Sequence, residues 1–332
     1  MIHAVNFRRY VPDARLIAVV DPSEEAARRA AAELEIDTWY TDIRGALNDE
    51  RIQAVVVVTP TLYHREIVVA AAKAGRHVLC EKPMAMNEAE CEEMIAACDQ
   101  AGVKLQLAFM RRYDSGFLEA KRCIESGAIG EVVLIKSLTR GPSVPQEWMY
   151  DLKKSNGPLA EVNSHDIDTL RWLSGSDIAS VYAIGGNYRC RDAADRYPDF
   201  YDNVVLTVSF ANGMQGIVDG AVSVGYGYDA RVEVLGTKGV LHIGEQRGSS
   251  FVYAGEDRLL TQPFTSSWRS LYKDAYLAED TDFVRSILED RPPRVTGEDG
   301  KQAVKVVTAG NRSIREGTVV SVAGSGVREA DR

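Results

Sequence analysis

Short apolar runs and amphipathic stretches alternate along the first part of the chain. "ARLIAVVD" (14–21), "IQAVVVVTP" (52–60), "HVLCEKP" (77–83) and "KLQLAFM" (104–110) are continuous enough in Val, Ile and Leu to be strands buried on both faces. Between them lie three helical patterns. Residues 23–35 follow the N-cap Ser23, residues 64–75 close on Gly75, and residues 87–102 carry an Asn87/Glu90 capping box and end on Gly102. Strands separated by helices predict a parallel sheet covered on both faces, the doubly wound α/β layout of a nucleotide-binding domain.

Beyond about residue 125 the pattern changes. "EVVLIKSLTR" is a strand, and 160–175 reads as one helix. Strands then dominate. One hairpin turns at Asn212-Gly213 and another runs through Gly236 to Gly239, so a large, mostly antiparallel open sheet is expected. Helices near 268–290 and 298–316 finish the chain. The division expected is a dinucleotide-binding domain over 1–112 and an α+β substrate-binding and oligomerisation domain over 113–332, with the last helices free to pack back on the first.

Composition narrows the function. With 332 residues the chain is long enough for two cores, and 45% apolar with 26% charged residues is ordinary globular usage. A net charge of −9 argues against nucleic acid, which needs a clustered basic surface. The five cysteines form no C-x-x-C pair, which fits a reduced, cytoplasmic protein without a disulfide framework. No apolar run approaches the ~20 residues of a membrane span, and the first residues lack a secretory apolar core. The scattered histidines offer no metal site, and no G-x-S-x-G elbow points to a hydrolase.

A dinucleotide-binding domain normally carries G-x-G-x-x-G between its first strand and helix. Here that motif is missing from the expected place, yet Asp21 ends a strand as the ribose-binding acid does, ≈20 residues beyond the glycines. Counting back reaches Met1. The expectation is therefore a chain that starts late, roughly 10–15 residues inside the domain, without its first strand and glycine-rich loop; the alternative is a domain that truly lacks them.

Six segments in order then point to a family. "VVDP" (19–22), "TPTLYH" (59–64), "CEKPMAM" (80–86), "FMRRYD" (109–114), "SHDIDTLRWLSG" (164–175) and "VEVLGTKGVLHI" (232–243) resemble the Gfo/Idh/MocA oxidoreductases, which include glucose–fructose oxidoreductase and inositol 2-dehydrogenases. Each segment alone is weak; the ordered set is specific. The resemblance implies an NAD-dependent dehydrogenase that moves hydride between a secondary alcohol of a cyclic polyol or sugar and nicotinamide.

From the residues alone, Lys82-Pro83 reads equally well as a solvated turn. The resemblance makes Lys82 a catalytic group, stabilising developing alkoxide at the carboxyl end of a strand. It makes His165 the base, with Glu161, four residues earlier and read as sharing a helical face, tuning it. The family usually has aspartate, one methylene shorter, at the position of Glu161. Asp166 is expected to be solvated and Asp168 to lend local support. Cofactor contacts fall to Asp21, Thr59, Pro60, His64, Glu81 and Lys82. The charge of Asp21 favours NAD over NADP, with Arg28 and Arg29 keeping NADP open. Substrate contacts fall to Arg111, Tyr113, Tyr226, Tyr228 and Tyr272, while His3, His77 and His242 are read as structural. The alternatives are a dehydrogenase of a glycoside or sugar phosphate, drawn by Arg111 and Arg112, and a cofactor-binding regulator without catalysis. The partners expected are a small-molecule polyol or sugar and further copies of the chain, as homodimer or homotetramer, with no nucleic acid, membrane or metal.

Overall fold

The computed structural model describes residues 1–244, 253–254, 260–261 and 264–322. The chain divides into two compact units: Met1–Tyr113 with Lys273–Lys301, and Asp114–Tyr272 with Gln302–Arg332.

In the first unit five short strands run parallel: β1 (Ala18–Val20), β2 (Thr38–Tyr40), β3 (Ala54–Val57), β4 (His77–Glu81) and β5 (Leu105–Ala108). They form two separate ladders, β1-β2 and β3-β4-β5. The separation leaves its mark on burial. In β4 the residues Val78, Leu79 and Cys80 are fully buried and β5 is buried throughout, whereas β1 and most of β3 are only half-buried. The helices start where local chemistry fixes them. Ser23 Oγ accepts from Ala26 N ahead of Glu24–Glu33. The Asn87/Glu90 box closes reciprocally: Glu90 N donates to Asn87 Oδ1 and Met86 N to Glu90 Oε2 ahead of Glu88–Ala101. Gly102 ends that helix at φ +65°, a left-handed conformation open to glycine. Two helices outside the nucleotide-binding pattern join the unit, Ile2–Arg9 and Lys273–Leu288. The segment after the second adds Val295 O as an acceptor for Leu107 N on the free edge of β5.

The second unit is built on one sheet. Its strands are β6 (Val132–Arg140), β7 (Ile178–Gly186), β8 (Asn203–Phe210), β9 (Gln215–Ala221), β10 (Asp229–Gly236) and β11 (Val240–Ile243). Tyr253–Ala254 (β12) and Leu260–Thr261 (β13) pair apart from it, and Val320–Ser321 (β14) closes the far edge. The order is β11-β10-β6-β9-β8-β7-β14, antiparallel except for β6 beside β9. Asn212 and Gly213 (φ +88°) sit in the β8–β9 turn, as their spacing predicts. Along β8 burial alternates strictly: Val204, Leu206, Val208 and Phe210 face in and Val205 faces out. Each inward side chain contributes about 1.5–3 kcal/mol against exposure. The helix Ser164–Ser174 buries Ile167, Leu170 and Leu173.

Candidate active site

Each unit carries its own cluster. In the first, β4 delivers Glu81 and Lys82 at its carboxyl end, followed by a cis Lys82–Pro83 peptide. Lys82 is half-buried and Pro83 buried. Glu81 Oε2 accepts the Lys82 amide at 3.0 Å and braces the turn. Its other oxygen lies 3.2 Å from His3 Nε2, and the opposite ring nitrogen lies 2.6 Å from Asp280 Oδ1. Burial opposes a charged His3, but Asp280 and Glu81 outweigh it and raise the imidazole to about 10. Burial likewise pushes Glu81 up, yet its bond to the His3 cation brings it below the usual range.

Beside this trio Glu279 is fully buried, and neither carboxylate oxygen has a hydrogen-bond partner. Burial raises it well above the carboxylate range. Three acids, Glu279, Asp280 and Asp282, stand among the buried positions of Lys273–Leu288 and interrupt its apolar pattern, a sequence signal that marks the cluster.

His64 opens the helix His64–Lys73. It is 1% exposed, with Nδ1 2.9 Å from Pro83 O and Nε2 2.7 Å from Thr59 O. Two carbonyl acceptors favour a doubly protonated ring, but burial is the larger influence and lowers its pKa. His64 thus ties the exit of β3 to the Pro83 turn. Pro60 is exposed there, and the Thr59 hydroxyl is buried without a hydrogen-bond partner.

Asp21 is half-buried at the end of β1, with Oδ1 accepting from Ser23 N at 2.8 Å. Arg28 pairs with Glu24 at 2.7 Å and lies over the Trp39 ring, and Arg29 lies 3.8 Å from Glu25. The two arginines that kept NADP open are thus engaged along their own helix.

At the end of β5 the expectations need correcting. Tyr113 is 6% exposed and its hydroxyl donates to Asp282 at 3.0 Å, with Arg294 above its ring. Burial and the neighbouring acids Glu279 and Asp282 raise its pKa. Its hydroxyl is thus committed within the first unit. Arg112 is buried in an ion pair with Asp299 at 2.9 Å, and Arg111 is 1% exposed. The two arginines are no exposed phosphate cradle.

In the second unit the helix expected over 160–175 is broken. Gly157–Glu161 ends at Glu161, two turn residues follow, and Ser164–Ser174 begins afresh. Glu161 and His165 therefore stand on two helices, and regular i,i+4 spacing does not put them on one face. His165 is buried at 6% exposure in the first turn of the second helix. The next residue is the larger correction. Asp166, expected in solvent, is fully buried and accepts from Ser137 Oγ (2.6 Å), Thr139 Oγ1 (2.9 Å) and Asn163 Nδ2 (2.8 Å). Ser137 and Thr139 are on β6, so Asp166 fastens the start of the histidine helix to the sheet. Asn163 lies against Gly220 of β9, where an added Cβ would meet Asn163 Oδ1 at 2.0 Å. Asp168 is also buried. Of the tyrosines, Tyr228 and Tyr272 are buried, while Tyr226 is 45% exposed with its hydroxyl 3.3 Å from Asp229.

The residues present fit part of a dinucleotide site. Asp21 and the β3 exit, with the partnerless Thr59 hydroxyl, lie at the carboxyl ends of parallel strands, where such ligands bind. A glycine-rich phosphate loop ahead of Asp21 is not in the sequence.

Comparison with known proteins decides the family. Residues 2–109 match the oxidoreductase family's NAD-binding Rossmann fold, and residues 121–322 match the same family's C-terminal alpha/beta domain. The chain belongs to the Gfo/Idh/MocA oxidoreductases. Its first domain is thus an NAD-binding Rossmann domain, as the resemblance implied. The chain is 32% identical to myo-inositol 2-dehydrogenase of Thermotoga maritima, covering 95% of this chain and 93% of that one. It is 31% identical to scyllo-inositol 2-dehydrogenase (NAD(+)) of Bacillus subtilis, covering 96% and 92%. The solved scyllo-inositol dehydrogenase of Lactobacillus casei, with NAD(H) and scyllo-inositol, superposes with a TM-score of 0.88 at 27% identity, covering 97% and 96%. No helix among the described residues is long and apolar enough to cross a membrane.

Proposed function

We propose that this protein oxidises a secondary hydroxyl of an inositol-like cyclic polyol with NAD. The observation that carries the reading is Lys82, set by β4 at the carboxyl end of a parallel sheet in a chain whose relatives bear inositol dehydrogenase names. NAD, when bound, accepts the hydride at its nicotinamide ring. Lys82 donates a hydrogen bond to the reacting oxygen and stabilises its developing negative charge. His165 takes the hydroxyl proton, a step worth typically about 10²–10⁴ in rate.

Asp21, Thr59, Pro60 and Glu81 shape the cofactor side, and His64 does so by holding Thr59 O and Pro83 O. Arg111, Tyr226, Tyr228 and Tyr272 are the substrate-side candidates, and Tyr113 acts through Asp282. The buried ion pair of Arg112 with Asp299 favours a neutral polyol over a sugar phosphate.

A second copy of the chain covers the outer face of the large sheet. Ile184 and Val205 pair on its β7–β8 side and Leu235 and Val240 on its β10–β11 side, each more than a third exposed. Five free cysteines fit the reducing cytoplasm.

The test is NADH absorbance with a panel of inositols and sugars, for the protein and for Lys82→Ala and His165→Ala. Turnover of an inositol, lost by about 10³-fold in each variant, is expected. Tight NAD binding with no turnover on any polyol would make the protein a regulator, and unchanged turnover in Lys82→Ala would remove the lysine from the chemistry.

A further inference from the structure

Lys82 does not stand on a bare strand end. Behind it an unbroken line of hydrogen bonds runs into the first unit. Lys82 N donates to Glu81 Oε2 at 3.0 Å, and Glu81 Oε1 meets His3 Nε2 at 3.2 Å. His3 Nδ1 then meets Asp280 Oδ1 at 2.6 Å, and Asp280 Oδ2 accepts from Asn6 Nδ2 at 2.8 Å. Both carboxylates use both oxygens. Tyr276 closes the site with its ring edge-on to His3, centroids 5.3 Å apart. His3 and Asp280 are 277 positions apart in sequence, so the fold itself assembles the line.

We propose that Asp280, His3 and Glu81 act as a relay of positioning residues that aims Lys82 at the reacting alcohol. The proposal rests on the reading of Lys82 given above. A neutral imidazole has one N–H and would serve one carboxylate; two carboxylates at hydrogen-bond distance on opposite nitrogens call for the imidazolium. That cation, flanked by Asp280 and Glu279 from one helix and Glu81 from β4, keeps Glu81 ionised despite its burial. An ionised Glu81 makes a charge-assisted bond to the Lys82 amide and fixes the backbone from which the ammonium leaves. Without His3, Glu81 loses the cation at hydrogen-bond distance and keeps Lys82 alone against the acids of the helix; it takes a proton or swings away, and its bond to the Lys82 amide weakens.

The same neighbourhood resembles a metal site, since donor atoms of His3, Glu279 and Asp280 lie within 4.8 Å of one another. An imidazolium has no lone pair to offer. The 2.6 Å between His3 Nδ1 and Asp280 Oδ1 is a direct hydrogen-bond distance, closer than two ligands with bonds of ~2.0–2.1 Å stand in a tetrahedral shell.

The test compares Glu81→Gln and His3→Ala in the parent and in Lys82→Ala, following inositol oxidation by NADH absorbance and NAD affinity by calorimetry. In the parent, kcat is expected to fall on the order of 10–100-fold in both variants, and in His3→Ala, which lies outside the cofactor residues, NAD affinity is expected to stay within about twofold, because misaiming a reacting group costs rate rather than cofactor binding. In Lys82→Ala the same changes are expected to cost nothing further, since a relay that acts through Lys82 has nothing left to aim. Added imidazole is expected to restore part of the His3→Ala rate. If His3→Ala fails to fold, Glu81→Gln, which keeps shape and volume, still decides the matter. A kcat within twofold of the parent for Glu81→Gln, or an equal cost in both backgrounds, overturns the relay. Full activity in Lys82→Ala overturns the reading of the lysine itself and the relay with it.

Discussion

The supports behind Lys82 and behind His165 solve one problem with different chemistry. Each rests on an acid next to it in sequence, the half-buried Glu81 for the lysine and the buried Asp166 for the histidine. Glu81 belongs to a charged cluster in which one imidazolium answers Glu81 and Asp280, with Glu279 alongside. Asp166 accepts from neutral groups, two hydroxyls and an amide. The settings differ as well. Lys82 leaves a three-stranded ladder of a divided sheet, while the Asp166 donors Ser137 and Thr139 lie on an inner strand of a continuous seven-stranded one. The difference teaches where aim comes from: in the first unit it is set by a balance of charges, in the second by hydroxyls on a rigid sheet.

The strongest way to break the comparison is to remove Asp166. Asp166→Ala leaves Ser137, Thr139 and Asn163 without the acceptor they converge on, and each buried group so stranded costs about 1–3 kcal/mol. Urea denaturation is expected to show a loss of about 3 kcal/mol or more for Asp166→Ala and roughly half of that for Asp166→Asn, which keeps one acceptor oxygen. A loss below about 1 kcal/mol in the alanine variant would mean that the hydroxyls find other partners at no cost.

Charge on the lysine side makes a second, graded difference. His3 has a folded pKa of about 10 against an ordinary 6.5. Below 6.5 both folded and unfolded chains hold the proton and the stabilisation is complete; as pH climbs, only the folded chain keeps it, and by about 10 the benefit is gone. Stability is expected to fall by a few kcal/mol across that window in the parent and to change less in His3→Gln, read from urea midpoints at pH 6, 8 and 9.5. Parallel curves for the two proteins would take His3 out of the balance.

How much of this is legible in the sequence depends on the reach of each interaction. The buried strands, the Asn87/Glu90 box and the Asn212-Gly213 hairpin are local, and the structure has them where the pattern puts them. The helix break at Val162 and Asn163 escapes periodicity, because the residues on either side keep helical spacing and a three-residue bond from Asn163 to Asp166 marks the restart. Thr38–Tyr40 is too short to show a period. Asp166 reads as solvated because its hydroxyl partners lie 27 and 29 positions back on a strand. His3 reads as structural because nothing near it in sequence announces Asp280. Family segments mark Lys82 and His165; what holds them is non-local, and no short motif encodes it.

Glu279 offers a smaller test of the charged side. Its raised pKa means that the folded chain keeps a proton the unfolded chain sheds above 4.5, so Glu279 erodes stability as pH rises. Glu279→Gln keeps the shape and cannot ionise. The variant is expected to match the parent near pH 5 and to be more stable by about 1 kcal/mol near pH 8.5, in thermal or urea melts. A variant less stable than the parent at pH 8.5 would show that the carboxylate has a partner it needs.

The smallest effect belongs to Thr59. Its hydroxyl is buried without a hydrogen-bond partner at the exit of β3, next to the carbonyl that His64 holds. A buried hydroxyl with no partner does not contribute to folding, and replacing it with a methyl of the same size removes a desolvation cost. Thr59→Val is therefore expected to leave stability unchanged or raise it by less than about 1 kcal/mol, which few substitutions of threonine do. If the hydroxyl is kept for the dinucleotide, the variant also binds NAD several-fold more weakly by calorimetry, with an unchanged melt in its absence. Loss of stability with unchanged NAD affinity would assign the hydroxyl to the fold instead. The two readouts move in opposite directions under the two readings, so a single variant separates a group held for a ligand from one held for the protein.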